Sequence, residues 1–153
     1  MNYAHNDLHP RNLLFDERLN LKLTDFDSCT KIGDDYLGAP PPYARVLNDG
    51  PDQGCFGYCG ARTEQFAIGS ILYIMLYGHE PFENTDIDSV ELVDRFRFLQ
   101  LPELRNGPLQ NLVWKCWLGK FPTIKDLEIR NPYIRHSQIG AGRSGLCKRK
   151  EEM

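Results

Sequence analysis

The sequence predicts a mainly α-helical domain that carries one short β-hairpin near its N-terminus. Two observations support this prediction. Two short apolar runs flank a mostly polar turn between residues 13 and 24, and four segments after residue 60 combine helical spacing with capping residues. The chain has 153 residues, of which 41% are hydrophobic and 25% are charged. It is therefore long enough for one domain with a hydrophobic core, and its composition is typical of globular proteins.

The predicted hairpin joins residues 13–15 to residues 21–24. The five residues between these runs are mostly polar and end in Asn20, which is typical of a turn between two strands. Asn12 precedes the first strand and Asp25 follows the second, so pairing of the strands would bring an amide and a carboxylate together. Both groups offer the oxygen ligands that magnesium prefers.

Residues 28–61 show no periodicity and are predicted to form a long irregular segment. This segment is rich in glycine and contains three consecutive prolines at positions 40–42. Loops of this length inside compact domains are usually functional or disordered.

The first and most apolar helix is predicted over residues 63–77. Thr63 suits the N-cap, Glu64 lies favourably in the first turn, and Gly78 can end the helix. The helix has almost no polar face, so we expect it at the centre of the domain.

Three shorter helices are predicted after it. Asp88 and Glu91 resemble a capping box at the start of the second helix, and Pro108 suits the first turn of the third. The second and third helices are predicted over residues 88–99 and 108–118. Thr123 caps the last helix, which is expected to end before Pro132.

Charge and hydropathy exclude several classes of partner. A net charge of −3 gives no basis for binding nucleic acid, and no apolar run reaches the roughly 18–20 residues of a membrane span. The N-terminal residues lack the pattern of a secretory signal, which predicts an intracellular protein, cytoplasmic or nuclear. Five cysteines without a C-x-x-C pair predict free thiols.

The most informative motif is H-N-D-L-H-P-R-N at residues 5–12, followed by T-D-F-D at residues 24–27. It resembles the catalytic loop H-x-D-L-x-x-x-N and the D-F-G segment of protein kinases, and the spacing between the two segments also suits that family. T-E-Q-F-A-I-G at residues 63–69 is similar to the D-x-W-S-x-G helix start of the same family, and K-C-W at residues 115–117 resembles a later kinase helix. The chain thus resembles the C-terminal lobe of the protein kinase-like superfamily, in particular fungal kinase-domain proteins of the H-N-D-L-H-P-R-N type.

This resemblance implies phosphoryl transfer from ATP to protein hydroxyls, with ATP and Mg²⁺ as cofactors. Asp7 would orient and deprotonate the acceptor hydroxyl. Asn12 and Asp25 would hold magnesium, and Leu14 would lie under the adenine. His9 replaces the lysine that Ser/Thr kinases often place near the γ-phosphate.

The chain also departs from the family pattern. Asn6 replaces an arginine that would pair with a phosphorylated loop, so control by loop phosphorylation is not expected. Asp27 replaces the glycine of D-F-G. Glu64 replaces the aspartate that anchors the catalytic-loop backbone. The A-P-E sequence and the arginine expected after K-C-W are both absent, which indicates a remodelled lobe.

The sequence contains no glycine-rich loop ahead of the catalytic loop, no V-A-I-K lysine and no helix with its glutamate partner. Residues 1–136 are therefore interpreted as a kinase C-lobe without its N-lobe, and residues 137–153 as a mobile tail. We expect negligible phosphotransferase activity from this chain alone. A literal G-x-G-x-x-G at residues 140–145 follows no strand and opens no βαβ unit, so it is not assigned to phosphate binding.

Two other functions remain open. A pseudokinase-like module would use the helical lobe to bind a partner protein without catalysis. A small-molecule kinase of the aminoglycoside-phosphotransferase type shares an H-x-D-x-x-x-x-N loop, but the long irregular segment and the T-E-Q-F-A-I-G helix favour protein kinases. The expected partner is a protein substrate or a binding protein.

Overall fold

The computed structural model describes residues 2–129, which form four short strands and four helices. The strands are β1 (Tyr3–Ala4), β2 (Leu13–Phe15), β3 (Leu21–Leu23) and β4 (Thr30–Lys31). The helices are α1 (Ala61–Tyr77), α2 (Ser89–Arg97), α3 (Pro108–Trp117) and α4 (Ile124–Ile129), and a 3₁₀ turn covers Pro10–Asn12. The predicted class, mainly helical with a short hairpin, is confirmed.

Strands β2 and β3 form the predicted hairpin, with Leu13 opposite Leu23. The turn between them is closed by Asp16, whose Oδ1 accepts hydrogen bonds from the backbone N–H groups of Arg18 and Asn20, both at 2.9 Å. The side chain of Asn20 also donates to the Asp16 carboxylate. These hydrogen bonds, those from Asn20 above all, lower the pKa of Asp16 to about 2.

A second strand pair was not predicted. Strand β4 lies in the segment expected to be irregular, and it pairs antiparallel with β1, so that Tyr3 lies opposite Lys31 and Ala4 opposite Thr30. Two-residue strands carry no measurable alternation, which explains why the sequence gave no sign of them. The pairing fixes the start of the irregular segment beside the N-terminal residues.

Helix α1 begins two residues earlier than predicted. Gly60 is its N-cap, and Thr63, which was predicted as the cap, lies in the first turn, where its hydroxyl bonds both the N–H and the C=O of Gly60. The prediction that Thr63 is the N-cap was wrong because glycine can also cap a helix. Gly78 ends the helix in the left-handed conformation, with φ of 78°, as predicted.

Helix α1 packs across α3 at the centre of the domain, as its apolar sequence predicted. The core cluster at this junction contains Phe66 and Tyr73 of α1, Val113 and Trp117 of α3, and Phe96 of α2. Close approach is possible at Gly69, where an added Cβ would lie 2.9 Å from Trp117 Cδ1. The α1 side chain that departs most from the prediction of all-round burial is Met75, which is 70% exposed.

A buried hydrogen-bond chain ties the proline-rich segment to this core. Trp117 Nε1 donates to Ser70 Oγ at 2.9 Å, and Ser70 Oγ donates to the carbonyl of Pro42. Both Ser70 and Trp117 are almost completely excluded from solvent. The segment before α1 is therefore held against the helices although it contains little regular structure.

The three remaining helices match their predictions within two residues at the ends that the structure describes. Asp88 caps α2 by accepting from the N–H groups of Val90 and Glu91, and Thr123 caps α4 by accepting from the N–H of Asp126. Phe96 is the one buried residue of α2. Neither these helices nor α1 is long and apolar enough to cross a membrane. Residues 130–136, the predicted tail and the G-x-G-x-x-G sequence lie outside the described residues.

Candidate active site

Asp7 and Asn12 form the centre of the candidate site. The 3₁₀ turn places Asn12 at the start of β2, where the residue is only 6% exposed. Its Nδ2 donates to the backbone carbonyl of Asp7 at 2.9 Å and to Asp7 Oδ2 at 3.0 Å. These two acceptors use both N–H bonds of the amide and fix its orientation. The amide oxygen is therefore the remaining polar atom of Asn12 for a ligand.

His9 contacts the same carboxylate from the other side. Its Nε2 lies 3.4 Å from Asp7 Oδ2, and its Nδ1 accepts a hydrogen bond from the backbone N–H of Arg11 at 3.2 Å. Because Nδ1 is an acceptor, the ring proton of neutral His9 lies on Nε2 and is directed at Asp7. One carboxylate oxygen of Asp7 thus receives contacts from two side chains of the same loop.

The hairpin returns the chain to Asn12 one residue before Asp25. Both the backbone N–H and the hydroxyl of Thr24 donate to the carbonyl of Asn12, at 3.0 and 3.2 Å. This contact fixes the exit of the hairpin beside its entrance, and Asp25 follows with an exposed side chain. Its φ of 59° lies in the left-handed region, which aspartate tolerates better than most residues. Asp27, at the position of the family glycine, does not have a positive φ.

The loop backbone is anchored from beneath by Glu64 in the first turn of α1. Glu64 Oε2 accepts from the N–H of His5 and Oε1 accepts from the N–H of Asn6, each at 3.0 Å. The prediction that Glu64 anchors this backbone is confirmed.

The side chain of His5 links the loop to the hairpin. Its ring is buried, with Nδ1 accepting from the N–H of Asp7 at 3.3 Å and Nε2 lying 3.0 Å from the carbonyl of Thr24. The loop is therefore held both by α1 and by the exit of the hairpin.

The donor set fits magnesium that is shared with phosphate oxygens. Among residues 2–129, no three His, Cys, Asp or Glu side chains lie close enough together to hold a metal ion. The amide oxygen of Asn12 and the carboxylate of Asp25 are two oxygen donors at the two ends of the hairpin. Magnesium usually takes one or two protein ligands and completes its shell with water and phosphate.

The surface of the hairpin next to these ligands is apolar and open. Leu14 lies on β2 and is 54% exposed. Phe15, Leu21 and Phe26 expose similar fractions of their side chains. Large apolar side chains are usually buried in a hydrophobic core, so these four are unusually exposed.

Sequence reasoning missed two residues, Tyr43 and Glu80, that line a cleft beside Asp7. The cleft has a volume of about 400 Å³ and is lined by Asp7, His9, Arg11, Tyr43 and Glu80, among others. Tyr43 donates its hydroxyl to Glu80 Oε1 at 2.6 Å, and burial raises the pKa of Tyr43. These two residues lie 37 positions apart, so the sequence held no local signal that they meet.

Comparison with known proteins gives the family. Residues 1–119 match the model of the protein kinase domain. The chain belongs to the protein kinase family. A granulovirus kinase, PK-1 of Cydia pomonella granulovirus, has a similar fold, with a TM-score of 0.62 at 17% sequence identity. The alignment covers 88% of this chain and 51% of the viral kinase chain.

Curated relatives are much longer than this chain. The serine/threonine-protein kinase CHK1 of Saccharomyces cerevisiae is 29% identical over 167 residues, which cover 97% of this chain and 30% of the relative. The maternal embryonic leucine zipper kinase of Xenopus laevis is 37% identical over 92 residues, which cover 56% of this chain and 13% of the relative. The chain therefore spans less than a third of the length of either kinase.

Proposed function

We propose that this chain supplies the catalytic loop and metal-binding segment of an enzyme that transfers the γ-phosphate of ATP to a protein hydroxyl. The observation that carries the proposal is the Asp7 carboxylate, which is oriented by Asn12 and His9 at the edge of an open cleft. The chain's membership of the protein kinase family, and the fact that its relatives are named kinases, support phosphotransferase chemistry.

Asp7 acts as the proton acceptor in this proposal. Its Oδ2 faces Asn12 Nδ2 and His9 Nε2, so Oδ1 is the oxygen left for the acceptor hydroxyl. The proton passes from that hydroxyl to Asp7, the hydroxyl oxygen bonds to the γ-phosphorus, and ADP leaves. His9 contributes by holding the carboxylate in place.

Asn12 and Asp25 would hold magnesium, which would neutralise charge on the phosphate oxygens. Leu14, whose side chain is half exposed on β2, would supply an apolar contact for the adenine. In the family, a glycine-rich loop and a lysine cover the nucleotide from the other side. The 153 residues contain neither element at the required place, so we expect negligible phosphotransferase activity from this polypeptide without them.

The test compares variants of the protein as it occurs in its own cells, recovered through an affinity tag together with any segment or chain that supplies the glycine-rich loop and the lysine. With Mg-ATP and dephosphorylated casein, we expect phosphate incorporation to fall about 100-fold or more in an Asp7→Asn variant, since general-base catalysis contributes roughly 10²–10⁴-fold. Asp94→Asn on the exposed face of α2 is the matched control and should keep full activity. Equal incorporation by the wild type and the Asp7→Asn variant would contradict the proposal.

A binding module without catalysis is the second candidate, and the exposed apolar side chains of the hairpin favour it. Such a module would give no Asp7-dependent labelling. It would also retain its partner in pull-downs after Asp7 and Asp25 are both changed to alanine. A kinase should instead lose Mg-ATP-dependent labelling in that variant.

A further inference from the structure

Two arginines with no carboxylate partner face one pocket away from the candidate active site. The pocket has a volume of about 300 Å³ and lies between the irregular segment, the first turn of α1 and the junction of α3 with α4. Arg45 enters from the irregular segment and Arg62 from α1. Neither guanidinium forms an ion pair with any side chain that the structure describes.

Most donors of the two guanidiniums are free. Arg62 Nη2 donates to the carbonyl of Phe56, and Arg45 Nη1 reaches the carbonyl of Arg97 at 3.5 Å. A guanidinium has five N–H donors, so these contacts leave most of them for another acceptor. The nitrogens of Arg45 and Arg62 that have no partner among the described residues also remain accessible to solvent.

The surroundings of this pocket disfavour the positive charges of Arg45 and Arg62. Both residues are partly buried, and burial lowers the pKa of each guanidinium. Arg62 also lies in the first turn of α1, where the helix dipole disfavours a cation. The positive charge of Arg62 also lowers the pKa of Arg45. In the opposite direction, the charge of Asp49 raises the pKa of Arg45 and that of Asp52 raises the pKa of Arg62. A bound anion would stabilise both partly buried guanidinium charges by supplying an opposite charge.

The walls of the pocket are rigid. Gln65 is almost fully buried and bonds Phe121 twice: its Nε2 donates to the carbonyl at 3.0 Å and its Oε1 accepts from the N–H at 3.1 Å. Gln65 Nε2 also donates to the carbonyl of Ala61. Its hydrogen bonds are therefore used in holding the α3–α4 junction against α1, and the two arginines are the groups left to meet a ligand.

We propose that the pocket of Arg45 and Arg62 binds a phosphate monoester or free phosphate. A phosphate group carries about −1.5 to −2 charges at pH 7, which matches two guanidiniums, whereas a carboxylate would leave one of them unmatched. Arginine forks also suit phosphate oxygens geometrically. A bound phosphate would join the irregular segment to α1.

The experiment measures the ³¹P line width of inorganic phosphate as the full 153-residue chain is added at constant ionic strength. We expect broadening that an Arg45→Gln, Arg62→Gln double variant weakens about tenfold or more, because charge-assisted hydrogen bonds are lost. The matched control is an Arg18→Gln, Arg105→Gln double variant, which removes the same charge from exposed positions and should behave like the wild type.

A second double variant covers the case in which the glutamine double variant does not fold. Arg45→Lys with Arg62→Lys keeps both charges but loses the forks, so we expect weaker broadening together with an unchanged circular dichroism spectrum. Unchanged broadening in both the glutamine and the lysine variants, or no broadening by the wild-type chain, would overturn the proposal. So would broadening that depends on Arg11 in the cleft beside Asp7.

A phosphoserine peptide and its unphosphorylated form distinguish a side-chain phosphate from a free phosphate ion as the ligand. Tighter binding of the phosphopeptide than of inorganic phosphate would support a side-chain phosphate as the ligand. Binding of inorganic phosphate alone would support a free ion. Acetate that competes as strongly as phosphate would overturn the assignment to phosphate.

Discussion

At the scale of single residues, one carboxylate determines the backbone shape of the loop that carries Asp7. Glu64 accepts two consecutive backbone N–H groups with its two oxygens, those of His5 and Asn6. Asn6 itself has a left-handed backbone conformation, with φ of 66°, which asparagine adopts more readily than most residues. Hydrogen bonds to a charged acceptor are among the stronger ones in proteins, and partly buried donors without a partner are costly.

Replacing Glu64 with alanine should therefore loosen the loop. We expect a loss of about 2–4 kcal/mol in the free energy of unfolding, since two charge-assisted hydrogen bonds are removed. Amide hydrogen exchange of residues 5–8 should accelerate in the same variant. Glu17→Ala, in the exposed turn of the hairpin, is the control and should change neither quantity. Unaltered exchange in residues 5–8 would show that the loop does not depend on Glu64.

At the scale of elements, the contact between α1 and α3 depends on the missing side chain of Gly69. An added Cβ would lie 2.9 Å from Trp117 Cδ1 and 3.0 Å from Cys116 Cβ, and both of these residues are fully buried. Neither neighbour can move into solvent. The glycine is thus a packing requirement of the helix pair and not a helix terminator.

Two opposing effects determine the stability of the Gly69→Ala variant. Alanine favours the helix by about 1 kcal/mol relative to glycine, whereas overpacking of a core typically costs about 1–3 kcal/mol. We expect the second effect to dominate, with a lower urea midpoint at unchanged slope. Met75→Ala, on the exposed side of the same helix, should change the midpoint little. A stabilised Gly69→Ala variant would mean that α1 and α3 can separate without cost.

The turn of the hairpin is an element with its own pH dependence. Because the pKa of Asp16 is lowered from 3.8 to about 2, its contribution to the turn is present above pH 3.8 and is lost as the pH falls through 2. An Asn20→Ala variant should return the pKa towards 3.8, as seen in a carboxyl-carbon NMR titration. Glu17→Ala in the same turn should leave the Asp16 titration unchanged. An Asp16 pKa that does not respond to Asn20→Ala would contradict this origin.

Sequence patterns predicted the elements better than they predicted the contacts between them. Periodicity and caps located the hairpin and all four helices, because each signal lies within a few neighbouring residues. The strand pair β1–β4 and the meeting of Tyr43 with Glu80 depend on residues far apart in the chain, which no local pattern records. The kinase-like motifs at residues 5–12 and 24–27 gave Asp7, Asn12 and Asp25 as candidates, and the Glu64 anchor followed from the likeness of residues 63–69 to the D-x-W-S-x-G helix start. The arginine pocket had no motif at all.

At the scale of the whole molecule, the cysteines report on global and local opening. Cys55 is exposed, whereas Cys59 and Cys116 are buried in two different hydrophobic clusters. Burial raises the pKa of the Cys116 thiol to about 12 and also raises that of Cys59. The reactive thiolate is thus disfavoured at both buried positions.

Alkylation of the folded chain should follow this order. We expect a maleimide reagent to modify Cys55 in native buffer, and to modify Cys59 and Cys116 only when urea unfolds the domain. Mass spectrometry of proteolytic peptides assigns each site. Native modification of Cys59 without Cys116 would locate a separate opening of the irregular segment. Modification of Cys116 at the rate of Cys55 would mean that the packing of α3 against α1 is not stable.

The anchoring of the loop by Glu64 also sets an order in time. His5 and its carboxylate acceptor are 59 residues apart in the chain. At ribosomal rates of about 5–20 residues per second, Glu64 is added roughly 3–12 s after His5. During this interval water, and not the Glu64 carboxylate, is the acceptor for these two N–H groups. The segment that carries the proton acceptor is thus synthesised early but takes its shape late, after the first turn of α1 has formed beneath it.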